Sequence, residues 1–329
     1  MRTLPMIAGF LLAQAAVAQD RPVLTVYTYD SFASEWGPGP AAKAAFEAVC
    51  ACELAFVTAG DGASLLSRVL LEGRAGKADV VLGLDQNLIP AARDSGLFAE
   101  HGPPPDTLQL PVPWTDTTFV PYDWGWFAFV YDRTRTPVVP EDFRQLAASD
   151  LKIAIQDPRS STPGLGLLLW VKAAYGDRSK AIWEGLADNV LTVTPGWSEA
   201  YGLFLKGEAD MVLSYTTSPA YHAMAEGDTS KAAAIFREGH LVQVEVAAKL
   251  AGSARPELAD RFLDFLQSQP FQTLVPETNW MYPANLPAGT LPAGFRALPR
   301  PDRSLVLSPD EVKALRDPAL EEWRGALSR

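Results

Sequence analysis

The chain has 329 residues, with 28 Lys+Arg against 39 Asp+Glu and a formal net charge of −11. So acidic a surface repels nucleic acid and anionic lipid, which excludes nucleic acid as a partner, and it mildly favours cationic ligands. The length suits one large or two medium domains with full cores.

The opening stretch MRTLPMIAGFLLAQAAVAQD has one early cation, Arg2, an apolar centre and the small-residue exit Ala16-Val17-Ala18. It reads as a secretory signal over residues 1–18, cleaved after Ala18. Cleavage removes Arg2 from the 28 basic residues, leaving 27 against 39 acidic ones. No later run offers about 18 uninterrupted apolar residues, so the exported remainder is expected to be soluble.

PVLTVYTYDSF alternates as a strand ending at Tyr29-Asp30. A loop with Trp36 and Gly37-Pro38-Gly39-Pro40 leads into the helical stretch AAKAAFEAV and the strand CELAFV. After Gly60-Asp61-Gly62, the segment SLLSRVLLEG puts Leu65, Leu66, Val69 and Leu70 on one helical face, then gives way to ADVVLGLD. The second half repeats this plan: the strand KIAIQDP, the helix STPGLGLLLWVKAAYG with Pro163 in its first turn, the strand VLTVTPG, the helix SEAYGLFLKG and the strand EADMVLSYTT. GKADVVLGLD (76–85) and GEADMVLSYT (207–216) match as Ala-Asp plus an apolar strand after a Gly-stopped helix. Alternation of strand and helix predicts parallel sheet covered on both faces, here in two α/β lobes of similar plan. FVPYDWGWFAFVYD (119–132) and HLVQVEVAA (240–248) are the two candidate crossings between lobes. The end carries a capping box at Ser308, Pro309 and Glu311, and a helix expected to break near Pro318.

Cys50 and Cys52 are separated by one residue. In an extended strand their Cα atoms lie near the limit of disulfide reach, so a bond requires a local bend. An oxidising compartment favours the bond, and the sequence leaves the redox state open.

Ligands of open parallel sheets bind beyond the carboxyl ends of the strands. That rule collects Tyr29-Asp30, Asp61-Gly62, Asp85, Arg159 to Thr162, Trp197 and SYTTSPAYH (214–222) around one interlobe cleft. Loop tryptophans Trp36, Trp197 and Trp280, with Tyr215, Tyr221 and the carboxylates of Asp30, Asp61 and Asp85, suit a flat cation: faces for stacking, acids for charge. Trp170 and Trp183 fall in helical patterns and read as core. In QDPRSSTPG, three hydroxyls and Arg159 precede a helix start, where free N–H groups attract an anion. His101, His222 and His240 have no metal-ligand spacing, and nucleophile-elbow, phosphate-loop and dinucleotide motifs are absent.

Through PVLTVYTYDSFASEWGPGP, KADVVLGLDQNL, FVPYDWGWFAFVYD, QDPRSSTPGLGLLLW, GWSEAYGLFLKGEADMVLSYTTSPAYH and NWMYPA, the chain resembles the periplasmic thiamine-binding proteins of bacterial ABC importers. The resemblance implies a type II periplasmic-binding-protein fold, with residues 19–122 and 245–300 as one lobe, 123–244 as the other and 301–329 as a C-terminal helical segment. It also implies a periplasmic receptor, not an enzyme, that needs no cofactor. This receptor would close on thiamine or its mono- and diphosphate, then dock on an inner-membrane permease with its ATPase. Tyr29, Trp36, Asp61, Trp197, Tyr215, Tyr221 and Trp280 are implied as the cage for the rings, and Ser161 and Thr162 as phosphate contacts, with Gly62, Ser160 and Ser218 beside them. Two alternatives stay open: a thiaminase-I-like transferase, which needs a cysteine nucleophile in the cleft, and a receptor for ferric iron or polyamine on a related scaffold.

Overall fold

The computed structural model describes residues 21–328. The signal-peptide reading of residues 1–18 lies outside them.

Among the described residues, eleven strands form one mixed sheet. In chain order they are β1 (Val23–Thr28), β2 (Glu53–Thr58), β3 (Val80–Asp85), β4 (Val120–Asp132), β5 (Ile153–Gln156), β6 (Val190–Thr194), β7 (Met211–Tyr215), β8 (Lys231–Ala233), β9 (His240–Lys249), β10 (Tyr282–Pro283) and β11 (Ser304–Leu305). The main path runs β2-β1-β3-β9-β4-β7-β5-β6. Pairing within β2-β1-β3 and within β6-β5-β7 is parallel, whereas β3 meets β9, β9 meets β4 and β4 meets β7 antiparallel. The two ends of the sheet therefore repeat one plan, with β3 and β7 in equivalent places. Those are the two strands whose sequences match.

The long strands β4 and β9 serve both halves. Val120 to Trp126 of β4 pair with β9, and from Phe127 to Tyr131 the same strand pairs with β7. Both are buried almost throughout, which explains their near-continuous apolar character.

Local chemistry sets the helix bounds. The helix Thr162–Tyr175 has Ser161 as N-cap, Pro163 in its first turn and Gly176 as C-cap, and all but two of its residues are buried. In the helix Gly62–Glu72, Leu65, Leu66 and Val69 are buried as the periodicity predicts, but Leu70 is exposed on the edge of that face. The chain ends in one unbroken helix, Pro309–Leu327, opened by the Ser308–Glu311 capping box. The expected break at Pro318 does not occur. Pro318 faces solvent, while Val312, Ala319, Trp323 and Ala326 on the other side are buried, and that packing outweighs one lost backbone bond.

Cys50 closes the helix Gly39–Cys50 instead of lying in an extended strand with Cys52, and it is bonded to Cys52 across a Cα separation of 5.1 Å. The required bend is supplied by Ala51, whose φ of 54° is left-handed.

Candidate functional site

A cavity of about 340 Å³ opens between the two halves of the sheet, at the carboxyl ends of β1 and β7. Its aromatic wall is assembled from four places. Tyr29 follows β1 directly, and Gly83 of β3 lies against its ring so closely that a Cβ there would come within 2.1 Å of Tyr29 Cδ1. Trp36 stands at the mouth, 58% exposed, with its ring centre 6.3 Å from that of Trp197. Trp197 begins the helix Trp197–Leu205, where the sequence suggested a loop, and stacks on Tyr201 at 4.8 Å. Tyr221 meets Trp280 edge-on at 5.2 Å, and Trp280 holds a left-handed backbone (φ 57°) that a bulky residue rarely adopts.

The stretch SYTTSPAYH positions these rings. Ser214 Oγ accepts from Trp197 Nε1 (2.8 Å) and contacts Ser218 Oγ (2.7 Å), and Ser218 Oγ accepts from the Tyr215 amide (3.2 Å). Tyr215 stacks on Phe127 at 5.3 Å and donates its hydroxyl to Gln243 Oε1 (2.9 Å). Tyr215, Ser218 and Tyr221 all reach the cavity.

Of the three carboxylates predicted for the cleft, only Asp61 lines it. Asp61 caps the helix Gly62–Glu72, accepting from the Gly62 amide (2.8 Å) and from Ser161 Oγ (2.6 Å). Burial raises its pKa, against the pull of these donors. Asp30 points to solvent and accepts from the Gly60 amide, and Asp85 is fully buried with its acceptors turned to Asn87 and Leu88. The sequence reading missed Glu245 and Asn279, which do line the cavity. Glu245 sits inside a buried strand pattern, and only its being a carboxylate in an otherwise apolar run marked it.

Gly62, Ser160, Ser161 and Thr162 form a seam beside the cavity and do not line it. The Ser64 amide donates to the Ser160 carbonyl (2.9 Å), and Ser160 Oγ donates to the Pro195 carbonyl (2.6 Å). A Cβ on Gly62 would lie 2.0 Å from Thr162 Oγ1, a hydroxyl that is buried without a hydrogen-bond partner. Arg159 turns away from this seam, paired with Asp157 and lying over the Trp323 ring. It therefore adds no charge to the helix start.

Among the described residues, no Lys, Arg or His lines the cavity; its acidic members are Asp61 and Glu245. Such an arrangement stacks a flat ring and attracts positive charge. His240 is buried between the Phe127 carbonyl and the Phe236 amide and its pKa is pushed down to about 4, while His101 bridges Asp260 and Asp264. Trp170 and Trp183 are core residues. Both cysteines are consumed by their mutual bond and neither lines the cavity, so the transferase alternative has no thiol nucleophile.

The family model for bacterial extracellular solute-binding proteins matches residues 40–273. The chain is 55% identical to the thiamine-binding periplasmic protein of Escherichia coli over 322 residues, 97% of this chain and 98% of the relative. It is 51% identical to the protein of that name from Brucella abortus over 329 residues, 99% and 98% of the two. A solved periplasmic thiamin binding protein superposes with a TM-score of 0.91 at 55% identity, covering 94% of this chain and 97% of that one. The chain belongs to the bacterial extracellular solute-binding proteins and, within them, groups with the thiamine-binding periplasmic proteins.

Proposed function

We propose that the protein is the periplasmic receptor of a thiamine importer, holding thiamine in the interlobe cavity and delivering it to an ABC transporter. The observation that carries this reading is a cavity walled by Tyr29, Trp36, Trp197, Tyr215, Tyr221 and Trp280 and charged only by Asp61 and Glu245. Thiamine offers two flat rings, one with a fixed positive charge, so the rings stack and the charge meets acids. The protein binds and releases its cargo unchanged and is not an enzyme. It uses no cofactor of its own.

Closure follows from the same contacts. A ligand touching Trp36 and Trp280 on one side and Trp197 and Tyr221 on the other favours the state in which the halves meet, with β4 and β9 as the hinge. Thiamine mono- and diphosphate are further ligands in this reading, their anionic tail directed to the start of the helix Thr162–Tyr175. Support comes from the buried Thr162 hydroxyl, which has no hydrogen-bond partner at that helix start. The docking partner is an inner-membrane permease with its ATPase.

Trp197→Ala and Tyr221→Ala should each weaken thiamine binding by roughly tenfold to a hundredfold in calorimetric titration, the loss expected when a stacking and cation–π face is removed. Unchanged affinity in both variants would overturn the cage.

A further inference from the structure

Glu245 occupies the middle of three adjacent strands, in register with Asp85 on β3 and with Asp123 on β4. Like charges directly opposite one another on a sheet are destabilising, and a neighbouring cation is the usual remedy. Here there is none. Tyr29 and Tyr122 donate to Glu245 Oε2 at 2.9 and 2.6 Å, Gln243 donates to Oε1 at 2.9 Å, and Asn279 donates to Asp123 Oδ2 at 2.6 Å. The other titratable groups that bear on the pair, Asp61, Asp85 and Tyr215, are acids too.

Asp123 is fully buried, and its Oδ1 meets no N–H or O–H donor. Its register neighbour Glu245 is buried as well. Ionising both would set two like charges side by side away from water with no cation to offset them, so the pair favours holding one proton. Glu245 carries the pair to the cavity wall.

We propose that Asp123 and Glu245 share one proton while the cavity is empty and release it to solvent when the cationic ligand binds, making recognition an exchange of a proton for a cation. The inference rests on the thiamine reading and adds the role of a buried acid pair to it. Two carboxyl groups withdrawn from water titrate as a unit: one ionises readily, and the second resists because it faces both burial and its neighbour's charge. A fixed positive charge entering the cavity supplies the field that the proton supplied. The second group then ionises, the proton passes to the buffer, and no covalent bond to carbon changes. Burial pushes both carboxyls above their ordinary range, which brings the exchange toward neutral pH. A neutral ring of the same shape gains nothing from the exchange, so the pair also selects for charge.

The test is calorimetry of thiamine binding at pH 7 in phosphate, imidazole and Tris, whose ionisation enthalpies differ. The slope of observed enthalpy against ionisation enthalpy counts the protons exchanged. Release of roughly half to one proton per thiamine is expected of the wild type, falling toward zero in Glu245→Gln and in Asp123→Asn, because either change removes the shared site. A wild-type enthalpy independent of buffer, or wild-type slopes in both variants, would overturn the exchange and leave the thiamine reading standing. Failure of the wild type to bind thiamine at all would overturn both. Should either variant misfold, the wild type alone decides through its pH series. Exchange makes affinity rise by up to about tenfold per pH unit between pH 6 and 7, whereas a purely structural pair leaves it flat.

Discussion

At the scale of single residues, the cavity combines two kinds of side chain that were unequally legible. Tyr29, Trp36, Trp197, Tyr215, Tyr221 and Trp280 stood out because aromatic residues at strand ends and in loops exceed what turns require. Glu245 and Asn279 were hidden, the first by the apolar run around it and the second by a loop whose path depends on the left-handed Trp280. Arg159 misled in the opposite direction, since a cation beside three hydroxyls suggests an anion site until Asp157 is seen to hold it. The hydroxyls themselves can be judged by discrimination between ligands. Ser161→Ala with Thr162→Ala should lower affinity for thiamine diphosphate by roughly tenfold more than for thiamine, the scale of one or two charge-assisted hydrogen bonds. Equal losses for both ligands in parallel titrations would remove the phosphate role from this seam.

At the scale of elements, periodicity and caps located β1 to β7 and β9 and the helices between them that were read, including the Pro163 start and the Gly176 stop, but not the helix Pro256–Gln267. The matching segments 76–85 and 207–216 correctly marked β3 and β7 as equivalent. What pattern could not show was the outcome of competition between local and tertiary terms. Pro318 is a helix breaker by local chemistry, yet Trp323 and Ala319 hold the terminal helix continuous against the helices Thr162–Tyr175 and Ser179–Leu186. Because Pro318 is exposed and leaves the Ala314 carbonyl without its helical donor, Pro318→Ala should raise stability by about 1–2 kcal/mol in urea unfolding, the helix-propensity gain offset by a more flexible unfolded chain. Thiamine affinity should not change. A loss of stability would mean that the proline serves the packing of this helix.

At the scale of the whole molecule, the buried acids give folding a pH dependence of definite sign. Burial raises Glu245 and Asp85 each to about 7, whereas in the unfolded chain they titrate as ordinary carboxyls. Between their unfolded pKa values and about 7 the folded state therefore binds more protons than the unfolded one, and stability falls as pH rises through that window. His240 acts the other way. Its pKa is lowered to about 4 from 6.5, so its contribution is present above 6.5 and is lost as pH falls toward 4. Glu245→Gln removes one acid and leaves the histidine, so the variant should lose less stability than the wild type between pH 5 and 8 in thermal unfolding. Parallel curves for the two proteins would contradict the assignment. Ligand sharpens the contrast, because a bound cation stabilises the ionised acids and protects the folded state most at the alkaline end.

Whether the aromatic, acidic cavity takes thiamine is decided by calorimetric titration of the ligand-stripped protein with thiamine, with tryptophan fluorescence followed in the same samples and spermidine and ferric iron as competitors. A thiamine receptor should show saturable one-to-one binding of thiamine, a fluorescence change from Trp36, Trp197 and Trp280, and no displacement by either competitor. Silence toward thiamine, with spermidine or iron bound in its place, would contradict it.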